Sequence, residues 1–329
     1  MVRVGMLSFA HMHALSYADV LGETPDAQLI GIADENPARC REMAARFGTE
    51  AWTIEQLLNS DVEAIVVCSE NTRHADHVVA CAQAGKHVLC EKPLATTIAD
   101  GERMIEACAR AGVFLSTAFV CRYLPPIRRA WEMCRGGELG EIFAVKATNH
   151  GTMPGGWFAQ KSLAGGGAVV DHTVHVADLL RWFLDSEPVS VYAEIDRLIH
   201  ADLEVDDCGM LTIEFENGVF ATIDPSWSRP GGYPFWGDVT VTLVGSDATV
   251  AVDGFGQVLT VHGRDAPSQW VHWGSSCDAL MIGDFVAAIE KGQQPPITGQ
   301  DGLRATEVVL AAYASAEAAQ PLKPADLRP

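Results

Sequence analysis

Up to about residue 121 the chain alternates short apolar runs with segments that have the punctuation of helices. The apolar runs are rich in β-forming residues without polar alternation, which is typical of strands buried on both faces of a parallel sheet. The predicted strands are Val2–Ser8, Gln28–Asp34, Ala64–Cys68, His87–Cys90 and Val113–Thr117, and the predicted helices are Met12–Leu21, Pro37–Phe47, His74–Ala84 and Ile98–Ala111. Strands that each precede a helix predict a doubly wound α/β domain over residues 1–121.

From residue 122 onward the pattern changes to longer segments in which apolar and polar residues alternate. Tight-turn signals such as Asn217-Gly218 separate these segments, which predicts a mostly antiparallel sheet. The predicted strands are Ile142–Thr148, Val189–Leu198, Met210–Glu216, Val219–Ile223, Val239–Val244, Thr249–Val252 and Val258–Val261, and the predicted helices are Pro125–Arg135, Asp171–Leu184, Asp278–Glu290 and Gly302–Ala319. Residues 122–329 are therefore expected to form an α+β domain with a large open sheet.

The composition excludes several classes of function. The 329 residues include 43 acidic and 23 basic ones, so the formal net charge is −20. Nucleic acids and anionic membrane surfaces are themselves negative, so neither is an expected partner. No apolar run approaches the roughly 18 residues that a membrane span needs. Nine cysteines without a CxxC pair are not typical of a disulfide scaffold or a zinc ribbon, and they indicate a reducing cytoplasm.

A phosphate-binding turn would lie after the first strand, at Ser8-Phe9-Ala10-His11-Met12-His13. Such a turn presents backbone N–H groups at a helix N-terminus and normally contains glycines, which Ser8, Ala10 and His13 replace here. Asp34 closes the second strand, where an acid can accept hydrogen bonds from the ribose hydroxyls of a dinucleotide. A turn or cap residue before Pro37 is the alternative interpretation of Asp34.

His11 and His13 also raise the question of a metal site. Two imidazoles two residues apart at a strand end begin many metal-dependent hydrolytic barrels, but such a barrel has eight βα units and further ligands at later strand ends. This chain supplies about half of those units before its pattern becomes antiparallel. We therefore expect the pair to cap the first helix, and we expect no metal.

Two further constellations contain groups that can perform acid–base chemistry. Lys92, in Glu91-Lys92-Pro93, follows a parallel strand, and the carboxyl end of such a strand faces the ligand crevice. Farther along the chain, Asp171 and His175 follow three glycines and lie four residues apart, so they share one helix face. A carboxylate beside an imidazole can orient it and raise its basicity. Taken singly, a lysine before a turn and a helix cap with a structural histidine remain open alternatives.

The motifs in this order resemble those of the glucose–fructose oxidoreductase, inositol dehydrogenase and MocA (Gfo/Idh/MocA) family. The resemblance covers nearly the whole chain. It rests on the segments AGKHVLCEKPLA, RYLPPIRRAWEMCRGGELGEI, GGGAVVDHTVHVADLLRWF, VDDCGMLTIEFENGVFATI and GQDGLRATEVVLAAYASAE. It implies a Rossmann domain that binds NAD, followed by a domain with a large, open, mostly antiparallel sheet that is used for homodimer or homotetramer contacts.

The resemblance also implies roles for individual residues. Lys92 corresponds to the catalytic lysine, His175 to the general base, and Asp171 to the acid that pairs with this base or binds substrate. With the first turn and Asp34 included, the expected cofactor contacts are Ser8, Phe9, Ala10, His11, Met12, Asp34, Ser69, Asn71, His74, Glu91 and Lys92. The expected substrate contacts are Arg122, His150, Trp157, Asp171 and His172.

The implied activity is hydride transfer between NAD and a secondary hydroxyl of a sugar, a sugar derivative or a cyclitol. Asp34 would repel the 2′-phosphate of NADP, which favours NAD. Two alternatives stay open. One is redox-neutral glycoside cleavage or elimination on the same fold with a retained NAD, and the other, which the replaced glycines suggest, is a non-catalytic sensor of a sugar or nucleotide.

Overall fold

The computed structural model describes residues 1–262 and 268–328, which divide into two compact units. The first unit comprises Met1–Val120 and Ser276–Leu303, and the second comprises Cys121–Ser275 and the chain from Arg304 onward. The sequence analysis assigned residues 276–303 to the second domain. They belong to the first unit because the helix α9 (Cys277–Lys291) packs against the first helix and the first strand.

A six-stranded parallel sheet forms the centre of the first unit. Its strands are β1 (Val2–Leu7), β2 (Ala27–Ala33), β3 (Glu50–Trp52), β4 (Ala64–Val67), β5 (His87–Cys90) and β6 (Leu115–Thr117). Their order in the sheet is β3-β2-β1-β4-β5-β6, which is the order of a doubly wound Rossmann fold. The strand order reverses between β1 and β4, and ligands bind such sheets at the carboxyl ends of the strands beside this point.

Helices cover this sheet, and local sequence signals set their ends. They are α1 (His13–Glu23), α2 (Pro37–Phe47), α3 (Ile54–Asn59), α4 (His74–Gln83), α5 (Ile98–Ala111) and α9. The predicted bounds of α2 and α5 are confirmed. Each of the two begins after a side-chain cap and ends at a left-handed glycine, Gly48 at φ 61° and Gly112 at φ 68°.

The second unit contains an open six-stranded sheet. Its strands are β7 (Ile142–His150), β8 (Pro188–Asp196), β9 (Cys208–Phe215), β10 (Phe220–Ser226), β11 (Thr240–Gly245) and β12 (Thr249–Asp253), in the order β12-β11-β7-β10-β9-β8. Four of the five pairings are antiparallel, and β7 pairs with β10 in parallel. The strands β13 (Val258–Val261) and β14 (Gln269–His272) form a separate pair. The expected mostly antiparallel open sheet is confirmed.

One long helix packs on this sheet and presents the residues of interest. The helices are α6 (Pro125–Arg135), α7 (Lys161–Ala164), α8 (Ala168–Leu184) and α10 (Gly299–Ala318), of which the part from Arg304 belongs to this unit. Helix α8 packs on β7, β9 and β10, whose inward residues such as Val145 and Ile223 are buried. None of the helices described here is long and apolar enough to cross a bilayer.

Candidate functional site

The turn after β1 keeps the backbone shape of a glycine turn without glycine. Ser8 follows β1 with φ 73°, in the left-handed region that glycine usually occupies. Its backbone N–H donates to the Ala33 carbonyl at 2.7 Å, and its hydroxyl accepts from the Ala10 N–H at 3.2 Å. These bonds compensate for the strain of about 1–3 kcal/mol that such a φ costs a residue with a side chain.

Asp34, directly after β2, is bonded on both carboxylate oxygens. Oδ2 accepts from the Phe9 N–H at 2.7 Å and from Arg39 Nε at 2.7 Å. Oδ1 accepts from the Asn36 N–H at 2.7 Å and from Arg39 Nη2 at 2.8 Å. The carboxylate therefore fixes the first turn, and a bidentate guanidinium balances its charge. The sequence analysis did not single out Arg39, which lies on α2.

The start of α1 offers a backbone donor to an anion. The His11 N–H donates to the Cys68 carbonyl at 3.0 Å, and the His13 N–H contacts His11 Nδ1 at 3.2 Å. No acceptor in the described chain faces the Met12 N–H, and α1 has no side-chain cap. An uncapped N-terminus at the switch point of a Rossmann sheet is where a dinucleotide pyrophosphate binds. The residues present therefore fit NAD in spite of the replaced glycines.

Glu91 lies at the carboxyl end of β5 and faces both histidines of the first turn. Its Oε1 is 3.0 Å from His13 Nδ1 and 4.0 Å from His11 Nδ1. Burial alone would raise the pKa of Glu91, but the two imidazoles outweigh burial and hold this pKa well below its usual range. Glu91 Oε2 accepts from the Lys92 N–H at 2.9 Å, so the carboxylate also shapes the segment that contains Lys92.

Lys92 is buried and precedes a cis peptide bond to Pro93. His74 connects this segment with the end of β4, because its Nδ1 lies 2.9 Å from the Pro93 carbonyl and its Nε2 lies 3.1 Å from the Ser69 carbonyl. Burial lowers the pKa of His74. The His74 ring has no exposed surface, so in this structure it positions two loops at the crevice. Asn71, in the loop after β4, is buried as well.

In the second unit, an acid holds the N-terminus of α8. Asp206 accepts from the Gly167 N–H at 3.0 Å, from the Val169 N–H at 2.8 Å and from the Tyr313 hydroxyl at 2.7 Å. A Cβ at Gly167 would lie 1.8 Å from the Asp206 carbonyl oxygen, so only glycine fits there. The glycines before α8 thus allow a close backbone approach that fixes the start of this helix.

Asp171 and His172, on the first turns of α8, share a hydrogen-bond network. Trp227 Nε1 donates to Asp171 Oδ2 at 3.1 Å, and His172 Nε2 is 3.3 Å from the same oxygen. His172 Nδ1 is 2.8 Å from the Asn149 carbonyl. A neutral imidazole has one N–H, so both contacts of His172 are hydrogen bonds only when a second proton resides on His172 or Asp171. The pair can therefore hold a proton beside the end of β7.

The next turn of α8 places His175 against Cys121, with 3.6 Å between Nδ1 and Sγ. In the tautomer whose Nδ1–H donates to the sulfur, Nε2 has the lone pair that a general base needs. Arg122, the residue after Cys121, forms a buried bidentate ion pair with Asp178 of α8, at 2.7 and 2.5 Å. Its expected contact with substrate stays a prediction, and the ion pair fixes its guanidinium.

His150, the last residue of β7, lies between two carboxylates. Nδ1 is 3.3 Å from Asp238 Oδ2, and Nε2 is 3.1 Å from Asp224 Oδ2. The hydrogen bond to Asp238 raises the pKa of His150. Burial would raise the pKa of Asp238, but His150 and Arg229 outweigh it and lower this pKa. The two carboxylates thus favour the imidazolium form, which can only donate hydrogen bonds.

Aromatic rings surround the same end of the second sheet. Trp157 is half-buried and packs on a cluster that includes Phe158 and Trp227. Trp236 is 40% exposed, and its ring centroid is 6.3 Å from that of His172. Tyr233 packs on Trp270 and against the Arg229 guanidinium. Trp236 therefore presents the larger free face for stacking on a sugar, whereas Trp157 mainly packs.

Part of the predicted set comes together in each unit. The expected cofactor residues follow β1, β2, β4 and β5 at the carboxyl edge of the first sheet, and the Asp171–His172 pair contacts the Asn149 carbonyl, next to His150 at the end of β7. Four residues that contact the predicted groups were not expected from the sequence: Arg39, Cys121, Asp206 and Trp227. Only Asp206 had a signal, because it lies in one of the segments on which the resemblance rests.

Family models match both parts of the chain. Residues 2–119 match the model described as an oxidoreductase family with an NAD-binding Rossmann fold. Residues 127–251 match the model described as the GFO/IDH/MocA C-terminal domain. The first unit is thus the NAD-binding Rossmann domain of an oxidoreductase.

Curated relatives extend the match to almost the full length. The chain is 28% identical to the myo-inositol 2-dehydrogenase of Thermotoga maritima, with 98% of each chain covered. It is 30% identical to the inositol 2-dehydrogenase of Rhizobium meliloti, with 95% of this chain and 96% of that protein covered. The crystal structure of GenD2 from gentamicin A biosynthesis in complex with NAD is similar, with a TM-score of 0.89, 27% identity, and coverage of 98% of this chain and 96% of that one. The chain therefore belongs to the Gfo/Idh/MocA family of oxidoreductases.

Proposed function

We propose that this protein is an NAD-dependent dehydrogenase that oxidises a secondary hydroxyl of a sugar, a sugar derivative or a cyclitol. The observation that carries the proposal is the retained set of Lys92, Asp171 and His175, each buried and each in the motif that the family resemblance assigns to catalysis. The names of the relatives, which include two inositol 2-dehydrogenases, support the substrate class.

The proposal assigns the proton chemistry to three side chains. NAD, when bound, supplies the hydride acceptor. His175 takes the hydroxyl proton at Nε2, since its Nδ1 faces Cys121. Lys92 donates a hydrogen bond to the developing alkoxide. Asp171, held by Trp227 and His172, binds a substrate hydroxyl or orients the base.

Substitution of the proposed base and of the lysine tests this assignment. We expect His175→Ala and Lys92→Ala to lower kcat with inositol or another active polyol by at least about 100-fold, which is the usual range for general acid–base groups. NAD affinity, measured by fluorescence titration, should change little in His175→Ala. The exposed residue Glu106 on α5 provides a control, Glu106→Ala, which should retain normal turnover. Normal turnover in His175→Ala would reject the mechanism.

We propose that NAD is preferred over NADP, and that the Asp34–Arg39 pair sets the preference. The Asp34 charge repels a 2′-phosphate, while Arg39 would attract one if the carboxylate did not hold it. Asp34→Asn keeps an acceptor for the first turn and removes the charge. We expect it to lower the ratio of kcat/KM for NAD over NADP roughly tenfold, or about 1.4 kcal/mol. An unchanged ratio would show that the pair only supports the turn.

We further propose that the protein forms a homodimer or homotetramer through the open sheet of the second unit and works in the cytoplasm. All nine cysteines are free thiols, and six of them are buried, which supports a reducing compartment. A sheet with an uncovered face supports association of copies.

A further inference from the structure

The side chains of the first turn perform a task that the proposed cofactor contacts leave unexplained. The Met12 backbone N–H can donate to an anion at the start of α1, whereas the rings of His11 and His13 both face the Glu91 carboxylate. We propose that His11, His13 and Glu91 form a binding site for one divalent transition-metal ion of the zinc class.

The topology of the first sheet brings the three residues together. His11 lies in the turn after β1, His13 begins α1, and Glu91 directly follows β5. Strands β1 and β5 both pair with β4, one on each side, so their carboxyl ends are close neighbours. The sequence spacing of His11 and His13 suggested only two ligands, because Glu91 lies 78 residues beyond His13.

The donor atoms converge at distances that suit a metal. One ligand atom from each of the three side chains lies within 4.8 Å of the other two, and the pair His13 Nδ1 and Glu91 Oε1 is already 3.0 Å apart. Metal bonds of about 2.0–2.2 Å would place tetrahedral ligand atoms roughly 3.3–3.5 Å apart. His11 Nδ1 and Glu91 Oε1, now 4.0 Å apart, need to approach by less than about 1 Å, and the ion would replace the His13 N–H that His11 Nδ1 now accepts at 3.2 Å.

The residue types select the class of ion. Two imidazoles and one carboxylate suit zinc and neighbouring divalent transition metals, whereas calcium and magnesium prefer sites made only of oxygen ligands. Three protein ligands leave a fourth position for water. Among the described residues, His11, His13 and Glu91 are the three potential metal ligands whose ligand atoms lie close together.

Burial is uneven in a way that allows both a firm site and access to it. Glu91 and His11 are 0% and 2% exposed, which fixes two ligands in the protein interior. The His13 side chain is 35% exposed and gives an ion a path from solvent. A dication would also balance Glu91 together with Asp278, a second largely buried carboxyl that lies within electrostatic range of His13.

A buried tyrosine lies beside the three proposed ligands. Tyr17 lies one turn after His13 on α1, is 1% exposed, and its ring centroid is 5.9 Å from that of His13. Burial and the Glu91 carboxylate raise the pKa of the Tyr17 hydroxyl well above its usual value. The phenol therefore stays protonated beside Glu91 and does not act as a fourth ligand.

The ion would connect the first turn to the segment that contains Lys92. Glu91 Oε2 already accepts from the Lys92 N–H, so with a metal on Oε1 both carboxylate oxygens of Glu91 would be bound. The ion would therefore have a structural role within the first unit. It stands independently of the proposed dehydrogenase activity, because metal binding is measured without substrate or NAD.

Metal binding to the full-length protein tests the proposal. Chelator-treated protein is titrated with Zn²⁺ by calorimetry and with Co²⁺ by its visible absorption, which reports tetrahedral nitrogen and oxygen ligands. We expect one ion per chain, and an affinity at least about 100-fold lower in His13→Ala and Glu91→Gln, since loss of an outer-shell partner alone costs 10–100-fold. Bound Zn²⁺ should raise the Tm of the unsubstituted chain and not that of His13→Ala.

A matched control separates this site from ordinary histidine binding. His77 also pairs with a glutamate, Glu35, at 3.3 Å, but among the described residues no third potential metal ligand joins this pair. His77→Ala should keep the affinity for Zn²⁺. Absence of binding, or equal binding by His13→Ala and the unsubstituted chain, overturns the proposal. Glu91 is fully buried and Glu91→Gln also disturbs the segment that contains Lys92, so His13→Ala, at a side chain that is 35% exposed, decides the outcome.

Discussion

At the scale of single residues, His150 shows how neighbouring carboxylates raise the pKa of an imidazole. Both ring nitrogens face carboxylates, Asp238 and Asp224, and the fold raises the pKa of His150 while it lowers that of Asp238. The histidine contribution to stability is present below the unfolded pKa of about 6.5 and is lost as pH rises through the folded value. The aspartate contribution is present above about pH 4 and is lost in acid.

His150→Asn should therefore destabilise the protein in a pH-dependent way. We expect the loss in the free energy of unfolding to be about 1.5–3 kcal/mol at pH 5–6, as for hydrogen bonds to charged groups, and to shrink toward pH 9. Urea unfolding at a series of pH values measures it. His87 is the control, because burial lowers its pKa and the effect of His87→Asn should have the opposite slope. Equal slopes for both variants would contradict this account.

The residue scale also shows what the sequence could not supply for the site. Asp171, His172 and His175 were predicted from one short segment, but their contacts come from Trp227, Asn149 and Cys121. These partners lie 56, 23 and 54 residues away along the chain, where no local pattern identifies them. The role of Arg39 was not predicted for a related reason. The pattern predicts the bounds of α2 but not the direction in which the Arg39 side chain points.

At the scale of elements, prediction succeeded where the chain has clear punctuation. Pro37 at the start of α2 and Gly48 at its end define that helix, and β5 has its predicted bounds. The strand β3 and the helix α3 were not predicted, because their three and six residues are too few for a repeat of apolar positions to appear. It also could not predict the parallel pairing of β7 with β10, which depends on order in the sheet.

The N-terminus of α8 is the element whose stability matters most for the proposed site, because Asp171 lies in its first turn. Asp206→Ala removes the acceptor of two helix N–H groups and of the Tyr313 hydroxyl. We expect a loss of about 1–2 kcal/mol in the free energy of unfolding, as for other lost caps, and a lower kcat. Chemical unfolding and steady-state kinetics measure the two effects.

The same loop provides a control for this helix. Asp202 is exposed, and Asp202→Ala should change the free energy of unfolding by no more than about 0.5 kcal/mol. If Asp206→Ala behaved in the same way, the glycines before α8 rather than the cap would determine how the helix begins.

At the scale of the whole molecule, the two faces of the second sheet are unequally covered among the described residues. Helix α8 covers the face that contains the buried residues, while the opposite face presents a row that crosses all six strands. In register, the row consists of Tyr192, Thr212, Thr222, Lys146, Thr242 and Ala251. Exposed Met210 and Phe220 lie near it on the same face. Because this face combines uncharged polar and apolar side chains with a single lysine in the row, it suits the self-complementary contact of a two-fold dimer.

Thr222 is near the centre of this row, between Thr212 and Lys146, so Thr222→Arg would set a second cation beside Lys146 in each copy. We expect the proposed oligomer to dissociate in light scattering after size-exclusion chromatography, with the circular dichroism unchanged. Leu259→Arg, on the separate β13–β14 pair, should leave the oligomer intact. Because each chain has a net charge of −20, association should also strengthen with salt, which screens repulsion between copies. A monomer at every salt concentration in the unsubstituted chain would show that this sheet face does not join two copies.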